Sequence, residues 1–259
     1  MPVRIHPTAI VAEGARLGDE VVVGPYSIVG GDVEIGARTE IGPHTVIDGH
    51  TCIGRRCRVT GQASIGTAPQ DLKYAGGPTR LEIGDDNVIR EFVTVNRATE
   101  HGGGVTRIGH RCMLMAYAHV AHDCTLGDNV VMANAATLAG HVTIEDWAIV
   151  GGLVAVHQFV RVGESVILGG GAMVTLDVPP YCMAAGDRAS LHGLNLIGLR
   201  RRGFSEETIK AVRGAYRVVF QSGLKLADAL ARLRSEFESS PEVARLVHFI
   251  EGSQRGICR

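Results

Sequence analysis

The segment VEIGARTEIGPHTVIDGHTCIG, from Val33 to Gly54, carries an aliphatic residue at every sixth position, usually with glycine directly after it. The same spacing holds from Ile5 to Ile65 and returns after an interruption from Ile83 to Val95. A second interruption, HGGG, shifts the phase by one residue, and the spacing then continues from Ile108 to Val174. A run of this length cannot arise by chance when about one residue in four is aliphatic.

This six-residue period indicates a solenoid. A coil of three short strands, each with one aliphatic side chain pointing inward, requires it, whereas a lone helix or hairpin does not. About 18 residues then form one coil, and residues 5 to about 180 supply roughly nine or ten coils stacked about 4.8 Å apart. We expect the frequent glycines to occupy corners whose backbone conformation disfavours a β-carbon.

The composition narrows the function classes. Glycine, at 34 residues, is about twice as common as average, while aromatic residues are only 5%. A net charge of -1 gives little general attraction to nucleic acids or anionic membranes, and no stretch is apolar enough to span a bilayer. The six cysteines form no CxxC pair, so reduced thiols and a cytoplasmic location are expected.

The period ends at the two prolines Pro179 and Pro180, and helical spacing follows. Ser205 with two glutamates resembles an N-cap and acidic first turn, and the apolar residues after it predict a helix that ends before Gly223. A second helix is expected over residues 227–237, and Ser240–Pro241 opens a third. These helices should form a small subdomain on one end or flank of the solenoid.

Polar residues that are candidates for a functional site lie in a loop that interrupts the coils and along the coils themselves. The insert TAPQDLKYAGGPTR, from Thr67 to Arg80, is a loop on which specificity can be built, although a solvated turn is an alternative. His119 and His122 lie three residues apart, and His141 follows about one coil later, so we expect these histidines to be neighbours. His157 lies nearly one further coil along the same strip.

Two chemistries compete for these histidines. Three imidazoles can bind zinc, as in some prism-shaped enzymes. Asp123, directly after His122, is better suited to orienting an imidazole and stabilising its protonated form. Gly140 could then supply a backbone N–H to a developing oxyanion. Since no serine or cysteine lies in a nucleophile-elbow motif, direct attack by an acceptor hydroxyl, with a histidine as general base, is the simpler mechanism.

The motifs IHPTAIV, QDLKYAG, AHVAHDC, TLAGHV, AVHQF, DVPPY and LRRRGFS closely resemble the UDP-N-acetylglucosamine O-acyltransferase family over essentially the whole chain. The resemblance implies a left-handed parallel β-helix over residues 1–190 and an α-helical subdomain over residues 191–259. It implies a homotrimer that transfers a (3R)-3-hydroxyacyl group from acyl carrier protein to the glucosamine 3-hydroxyl of a UDP-sugar, the first step of lipid A synthesis. It implies no cofactor and no metal.

Residue by residue, the resemblance implies that His122 is the general base, Asp123 its orienting partner and Gly140 the oxyanion donor. It implies a substrate-binding set drawn from the loop, the coils and the tail: Asp71, Lys73, His119, His141, His157, Gln158, Asn195, Arg201 and Arg202. Arginines of the tail, Arg213 and Arg217 included, are expected to meet the acidic carrier protein.

Some positions depart from the family pattern. Asp187 and Arg188 stand where relatives often carry Asn-His, and Ile197 stands where a glutamate contacts the nucleotide. Gly170 falls in the region that gauges acyl-chain length, where a small residue leaves room for a longer chain. A 3-amino UDP-sugar as acceptor, acyl-coenzyme A as donor to another sugar nucleotide, and a trimeric scaffold without chemistry are the alternative functions.

Overall fold

Three flat parallel sheets form the sides of a triangular prism, in a computed structural model that describes residues 2–259. The first sheet consists of Arg4–Ile5, Val22–Val23, Glu40–Ile41, Arg58–Val59, Val88–Ile89, Met113–Leu114, Val131–Met132, Ile149–Val150, Ile167–Leu168, Cys182–Ala185 and Ser190–Leu194. The second sheet consists of Ile10–Val11, Ile28–Val29, Val46–Ile47, Ser64–Thr67, Thr94–Asn96, His119–Val120, Thr137–Leu138, Ala155–Val156 and Met173–Val174. The third sheet consists of Arg16–Leu17, Glu34–Ile35, His50–Ile53, Arg80–Ile83, Val105–Ile108, Thr125–Leu126, Thr143–Ile144 and Arg161–Val162.

The chain visits the three sheets in turn, so each strand pairs in parallel with the strand one coil later. The predicted inward residues are buried from Val23 to Val174, and Val120, Leu138 and Ile144 are wholly inaccessible. The prediction is wrong for Ile5, which is 47% exposed, because no further coil of residues 2–259 packs beneath it. The six-residue period therefore marks the core of the prism.

Most of the glycines that follow the inward residues have a different role from the predicted one, and Gly66, with a φ of 76°, is the exception. Gly36 and Gly42 do not adopt a positive φ. Instead, a β-carbon on Gly42 would lie 2.0 Å from the carbonyl oxygen of Thr60, and one on Gly36 would lie 2.6 Å from the carbonyl carbon of Gly54. Successive coils approach backbone to backbone at these positions, and only glycine leaves room for that approach.

The left-handed conformation belongs to the second residue of each corner, which is seldom glycine. Asp123, His141 and Phe159 have φ values of 60°, 62° and 64° at successive coils of one corner. The amide of His141 donates to the carbonyl of His122, 3.0 Å away, and the amide of Phe159 donates to the carbonyl of Gly140, 3.2 Å away. Such hydrogen bonds stabilise a conformation that costs an L-residue about 1–2 kcal/mol.

Four α-helices follow the prism: α1 (Leu196–Arg201), α2 (Glu206–Phe220), α3 (Leu226–Glu236) and α4 (Pro241–Glu251). The predicted caps are present, since Ser205 Oγ accepts from the amide of Thr208 and Ser240 Oγ accepts from the amide of Val243. The short α1, capped by Asn195, was not predicted, because six residues offer too little periodicity. The 3-10 turn Glu100–Gly102 overlaps the start of the HGGG interruption.

The end of the prism is reinforced by an antiparallel return strand. Ser190–Leu194 pairs with Cys182–Ala185, so the predicted division between residues 190 and 191 falls inside a strand that shows no six-residue period. Ile257, near the end of the chain, pairs with Asp177, which ties the helices back to the coils. Helices α2, α3 and α4 share their own core. No helix within residues 2–259 combines the length and apolarity that a transmembrane span requires.

We expect Gly42→Ala to lower Tm by about 5–10 °C, because relieving the overlap between the new methyl group and the neighbouring coil costs about 2–3 kcal/mol. Gly152→Ala is the matched control, since its β-carbon would meet only the carbonyl oxygen of Asn134, at 3.4 Å. Thermal denaturation followed by circular dichroism measures both. Equal Tm values for the two variants would contradict the proposed backbone contact.

Candidate functional site

The candidate site lies on the corner between the second and third sheets. At this corner three successive coils contribute the pairs His122–Asp123, Gly140–His141 and Gln158–Phe159. Both chain insertions emerge at the same corner, one and two coils below His122, because they follow the strands Thr94–Asn96 and Ser64–Thr67. Residues far apart in the sequence are thereby collected along one edge.

His122 and Asp123 form a hydrogen-bonded pair at the base of this edge. His122 Nδ1 lies 2.8 Å from Asp123 Oδ2, and the imidazole is 14% exposed whereas the carboxylate is inaccessible. The carboxylate also accepts from the hydroxyl of Thr99, at 2.7 Å, and from its amide, at 3.2 and 3.3 Å. Because an ionised carboxylate can only accept, Nδ1 of His122 carries the proton and Nε2 is left free to act as a base.

Gly140 lies directly against the His122 ring. A β-carbon on Gly140 would be 2.5 Å from Cε1 and 2.7 Å from Nε2 of His122, so any side chain here would displace the imidazole. Within residues 2–259 the amide of Gly140 has no hydrogen-bond acceptor. An unpaired N–H next to a free Nε2 is the arrangement that a developing oxyanion and a nearby general base require.

His141 closes the upper side of the site. Its ring meets that of His122 edge to face, with centroids 5.2 Å apart, which confirms the predicted proximity of these two histidines. Its other face stacks on Phe159 at 4.5 Å. Burial lowers the pKa of His141, and the negative charge of Asp123 only partly opposes this effect. The neutral imidazole is therefore favoured near neutral pH.

His119 lies on the outer face of the second sheet, beside His122. Its Nδ1 is 2.7 Å from the hydroxyl of Thr94. Burial, followed by the neighbouring charge of His122, lowers its pKa. His157 and Gln158 are exposed two coils above His119, and His157 Nδ1 contacts the carbonyl of Gln158 at 3.1 Å. The ring that continues the stack above His141 is thus Phe159, which the sequence reasoning did not select.

Asp71 and Lys73 lie on the first insertion, below His122. Asp71 Oδ1 accepts from the amide of Lys73 at 2.9 Å, and this hydrogen bond is the main cause of a lowered pKa for the carboxyl group. Its other oxygen lies 3.2 Å from Nε2 of His101. The side chain of Lys73 is exposed and free to reach an anionic ligand.

His101 and Thr99 belong to the second insertion and were missed as site residues. The sequence signal was the insertion itself, which breaks the six-residue phase directly before the coil that carries His122. Gly102 is also needed here, since a β-carbon on it would lie 2.2 Å from the carboxyl carbon of Asp123.

His122, Asp123 and His141 place one possible ligand atom each within 4.8 Å of one another, which is compatible in distance with a metal site. The carboxylate of Asp123 and Nδ1 of His122 are already engaged in hydrogen bonds. Asp123 Oδ2 accepts from both His122 and Thr99, and Asp123 Oδ1 faces the amide of Thr99. A buried carboxylate that is satisfied in this way has the geometry of an orienting group for a general base.

The predicted nucleotide-binding residues lie at a different corner, between the third and first sheets. Arg202 stacks on Trp147, which forms that corner, at 4.7 Å, and its Nη2 donates to Glu164 at 2.7 Å. Burial lowers its pKa. Arg201 is exposed, and its guanidinium has no partner among residues 2–259. The side chain of Asn195 is buried, since it caps α1 and donates to the carbonyl of Ser165.

Gly170 lies at the third corner, between the first and second sheets. It is exposed, and a β-carbon there would meet only the carbonyl of Gly152, at 3.4 Å. Asp187 and Arg188 are exposed on the turn before the return strand, and Ile197 is 67% exposed on α1. A single chain therefore presents its predicted site residues on all three corners of the prism.

Comparison with known proteins agrees with this architecture. A family model described as UDP-N-acetylglucosamine O-acyltransferase, domain 2, matches residues 177–258, and a model for bacterial transferase hexapeptide repeats matches residues 14–49 and 106–140. The curated acyl-[acyl-carrier-protein]--UDP-N-acetylglucosamine O-acyltransferase of Myxococcus xanthus is 54% identical over 99% of both chains. The Thiobacillus denitrificans relative of the same name is 53% identical over 98% of this chain and 99% of its own.

A solved structure extends the match to three dimensions. The UDP-N-acetylglucosamine O-acyltransferase of Moraxella catarrhalis superposes with a TM-score of 0.95 at 45% identity, over 98% of this chain and 99% of that one. The predicted fold, a left-handed β-helix of hexapeptide repeats with a C-terminal helical subdomain, is thereby confirmed. With its prism, its helices and its full length matched in this way, the chain is an acyltransferase and belongs to the UDP-N-acetylglucosamine O-acyltransferase family.

Proposed function

We propose that the protein transfers a 3-hydroxyacyl group from acyl carrier protein to the 3-hydroxyl of UDP-N-acetylglucosamine, the step that begins lipid A synthesis. The curated relatives carry the name of this activity over the whole length of the chain. The observation that carries the proposal is the His122–Asp123 pair, whose hydrogen bond engages Nδ1 and leaves Nε2 of His122 without a protein partner beside Gly140. A cytoplasmic location, where acyl carrier protein is found, is part of the proposal.

The proposed reaction is a direct acyl transfer. Nε2 of His122 takes the proton from the sugar 3-hydroxyl while the hydroxyl oxygen attacks the carbonyl carbon of the acyl thioester. The amide of Gly140 donates to the oxyanion of the tetrahedral intermediate. Collapse breaks the carbon–sulfur bond, and the departing thiolate takes the proton from the His122 imidazolium. Asp123, held by Thr99, stabilises that imidazolium and remains ionised throughout.

The side chains around this centre favour a hydroxyl-rich acceptor. His119 and His141 have lowered pKa values, which favours their neutral imidazoles. A neutral imidazole both donates and accepts hydrogen bonds, so it suits the hydroxyl groups of a sugar and does not act as a fixed charge. Asp71 and Lys73 rise from the loop beneath, and Lys73 is suited to the diphosphate. His157 and Gln158 extend the polar wall upward.

We further propose that three copies assemble with the active sites between them. Exposed apolar side chains cluster on the first and second sheets and the corner between them: Tyr26, Ile28, Phe92, Tyr117, Ile149, Leu153 and Met173. The third sheet instead points charged residues outward: Arg16, Glu34, Arg80, Glu82, Arg107 and Arg161. Apolar surface of this extent is typical of a subunit interface.

A three-fold axis along the apolar corner would pack the second sheet of one copy against the first sheet of the next. The outer ends of these two sheets then meet, so the corner with His122 faces the neighbouring copy's corner with Arg201 and Arg202. This arrangement supports a site in which one copy supplies the base and the next binds the nucleotide. It also explains why the two sets lie apart in a single chain.

The carrier protein is proposed to dock on α2. Lys210, Arg213 and Arg217 outnumber Glu207, the one acidic residue of a groove of about 670 Å³, and Phe237 forms its apolar wall. Within residues 2–259 these three cations form no salt bridge, whereas Arg200 is paired with Glu206. A row of unpaired cations attracts an acidic partner and speeds its association.

His122→Ala is expected to reduce kcat/KM by about a thousandfold, because it removes the general base. The assembly should stay intact, since the ring contributes nothing to the buried core. Product formation is followed by mass spectrometry, which also distinguishes an ester from the amide that a 3-amino sugar would give. His50→Ala, on an exposed histidine of the third sheet, is the control. Near-normal turnover by the His122 variant would remove this residue from the catalytic role.

Mixed trimers test the shared site. His122→Ala and Arg201→Glu should each be inactive alone, the second because its new carboxylate repels the diphosphate. When equal amounts assemble at random, every mixed trimer regains one intact site, so activity should recover to about a quarter of the wild-type level. Activity is measured after co-expression and purification. No recovery would show that both residues act from the same copy.

Arg213→Glu with Arg217→Glu should raise the KM for the acyl carrier protein about tenfold and weaken its dependence on salt, since both changes remove attraction to an acidic surface. The KM for the same acyl group on coenzyme A should not change. Arg4→Glu, on an exposed arginine of the first coil, is the matched control. A preference of the wild-type enzyme for coenzyme A would contradict carrier-protein docking.

A further inference from the structure

The two chain insertions contact each other side by side at the corner of the active site. The first insertion, residues 67–80, carries Asp71, and the second, residues 97–104, forms the 3-10 turn Glu100–Gly102. Both leave the prism where the second sheet passes to the third, on adjacent coils. The two insertions stack because they leave adjacent coils at the same corner.

Three contacts join the insertions. Glu100 Oε1 accepts from the amide of Gly77 at 2.5 Å, and a β-carbon on Gly77 would lie 2.4 Å from Cγ of Glu100, so a side chain there would displace that of Glu100. Arg97 donates to the hydroxyl of Tyr74 from Nε and Nη2, at 3.2 and 3.1 Å. His101 Nε2 meets Asp71 Oδ2 at 3.2 Å. The loop is thus fixed at its start, middle and end by the second insertion.

The same short turn also supports the catalytic pair. Thr99, directly before the turn, donates to Asp123 through both its hydroxyl and its amide. Gly102, at the end of the turn, approaches the Asp123 carboxylate so closely that a β-carbon would overlap it. The segment from Thr99 to Gly102 therefore touches the carboxylate that orients the base and, through His101, the carboxylate on the loop.

We propose that His101 is a positioning residue that fixes the Asp71 carboxylate for binding the hydroxyl groups of the sugar acceptor. This inference rests on the proposed function. Asp71 has one oxygen bound to the amide of Lys73 and the other bound to His101, and its side chain is 20% exposed, so each oxygen keeps a lone pair for a sugar hydroxyl. Without His101 the carboxylate is held on one side only and rotates toward solvent.

The role needs an N–H donor rather than a positive charge. A neutral imidazole with the proton on Nε2 donates to Asp71 as well as a protonated one does. Glutamine also carries an N–H donor at the end of a side chain of similar reach, whereas alanine does not. Positioning of Asp71 is therefore separable from the mere presence of a bulky residue at position 101.

His101→Ala is expected to raise the KM for the UDP-sugar about five- to tenfold, which is about the effect of losing one ordinary hydrogen bond, since Asp71 stays present but is less well positioned. The kcat and the KM for the acyl donor should stay within about twofold, since the lost interaction holds the sugar equally in the ground and transition states. His101→Gln should restore the KM to within about threefold of the wild type. His50→Ala removes another exposed histidine that faces a carboxylate, Asp32, and should change neither constant.

Hydrogen exchange of the protein without substrates gives a second readout that does not require activity. Amides of residues 71–77 should exchange faster in His101→Ala than in the wild type, His101→Gln or His50→Ala, while amides of the coils stay protected. Unchanged exchange and KM in His101→Ala, or equal losses in His101→Ala and His101→Gln, would overturn the proposal. A wild-type protein that acylates no UDP-sugar would overturn the proposed function, whereas the exchange experiment would still test the contact.

Discussion

The close stacking of one coil on the next is the constraint on which the rest of the protein depends. Neighbouring coils are joined by backbone hydrogen bonds between parallel strands. Where a glycine follows the inward residue, as at Gly42 and Gly36, the backbones approach so closely that a β-carbon would meet the next coil at 2.0–2.6 Å. Burial of one aliphatic side chain per strand then stabilises a core that needs few aromatic residues. The prism is rigid because backbone hydrogen bonds to the next coil and buried aliphatic side chains recur in successive coils.

Because the coils stack directly on one another, side chains that are one coil apart in the sequence lie next to each other along one edge of the prism. His122, His141 and Phe159 lie roughly one coil apart in sequence and become adjacent rings at one corner. The two insertions emerge below them at the same corner, so Thr99 contacts Asp123 from beneath and His101 contacts Asp71 on the loop. A repetitive scaffold thereby acquires a specific site wherever its period is broken.

The candidate functional groups lie at different corners of the rigid prism. One corner holds the candidate base, a second holds Arg201 and Arg202, and the third presents an apolar edge. The flat sheets between these corners prevent a single chain from bringing the groups together. The proposed assembly about the apolar edge would supply this proximity, and the helices beyond the last coil add the basic groove at which a protein partner is proposed to dock.

The sequence alone determined the solenoid, the buried register from Val23 to Val174, the three longer helices and the proximity of His122 to His141, because each follows from a period in the chain. It misassigned the purpose of the glycines, since a six-residue spacing does not tell a left-handed corner from a close backbone contact. Only the tertiary structure brought Thr99 and His101 to the carboxylates, engaged Arg202 with Glu164 and buried Asn195 as a cap. Those contacts join residues from insertions, corners and helices that share no period, so their partners are set by how the coils stack in space.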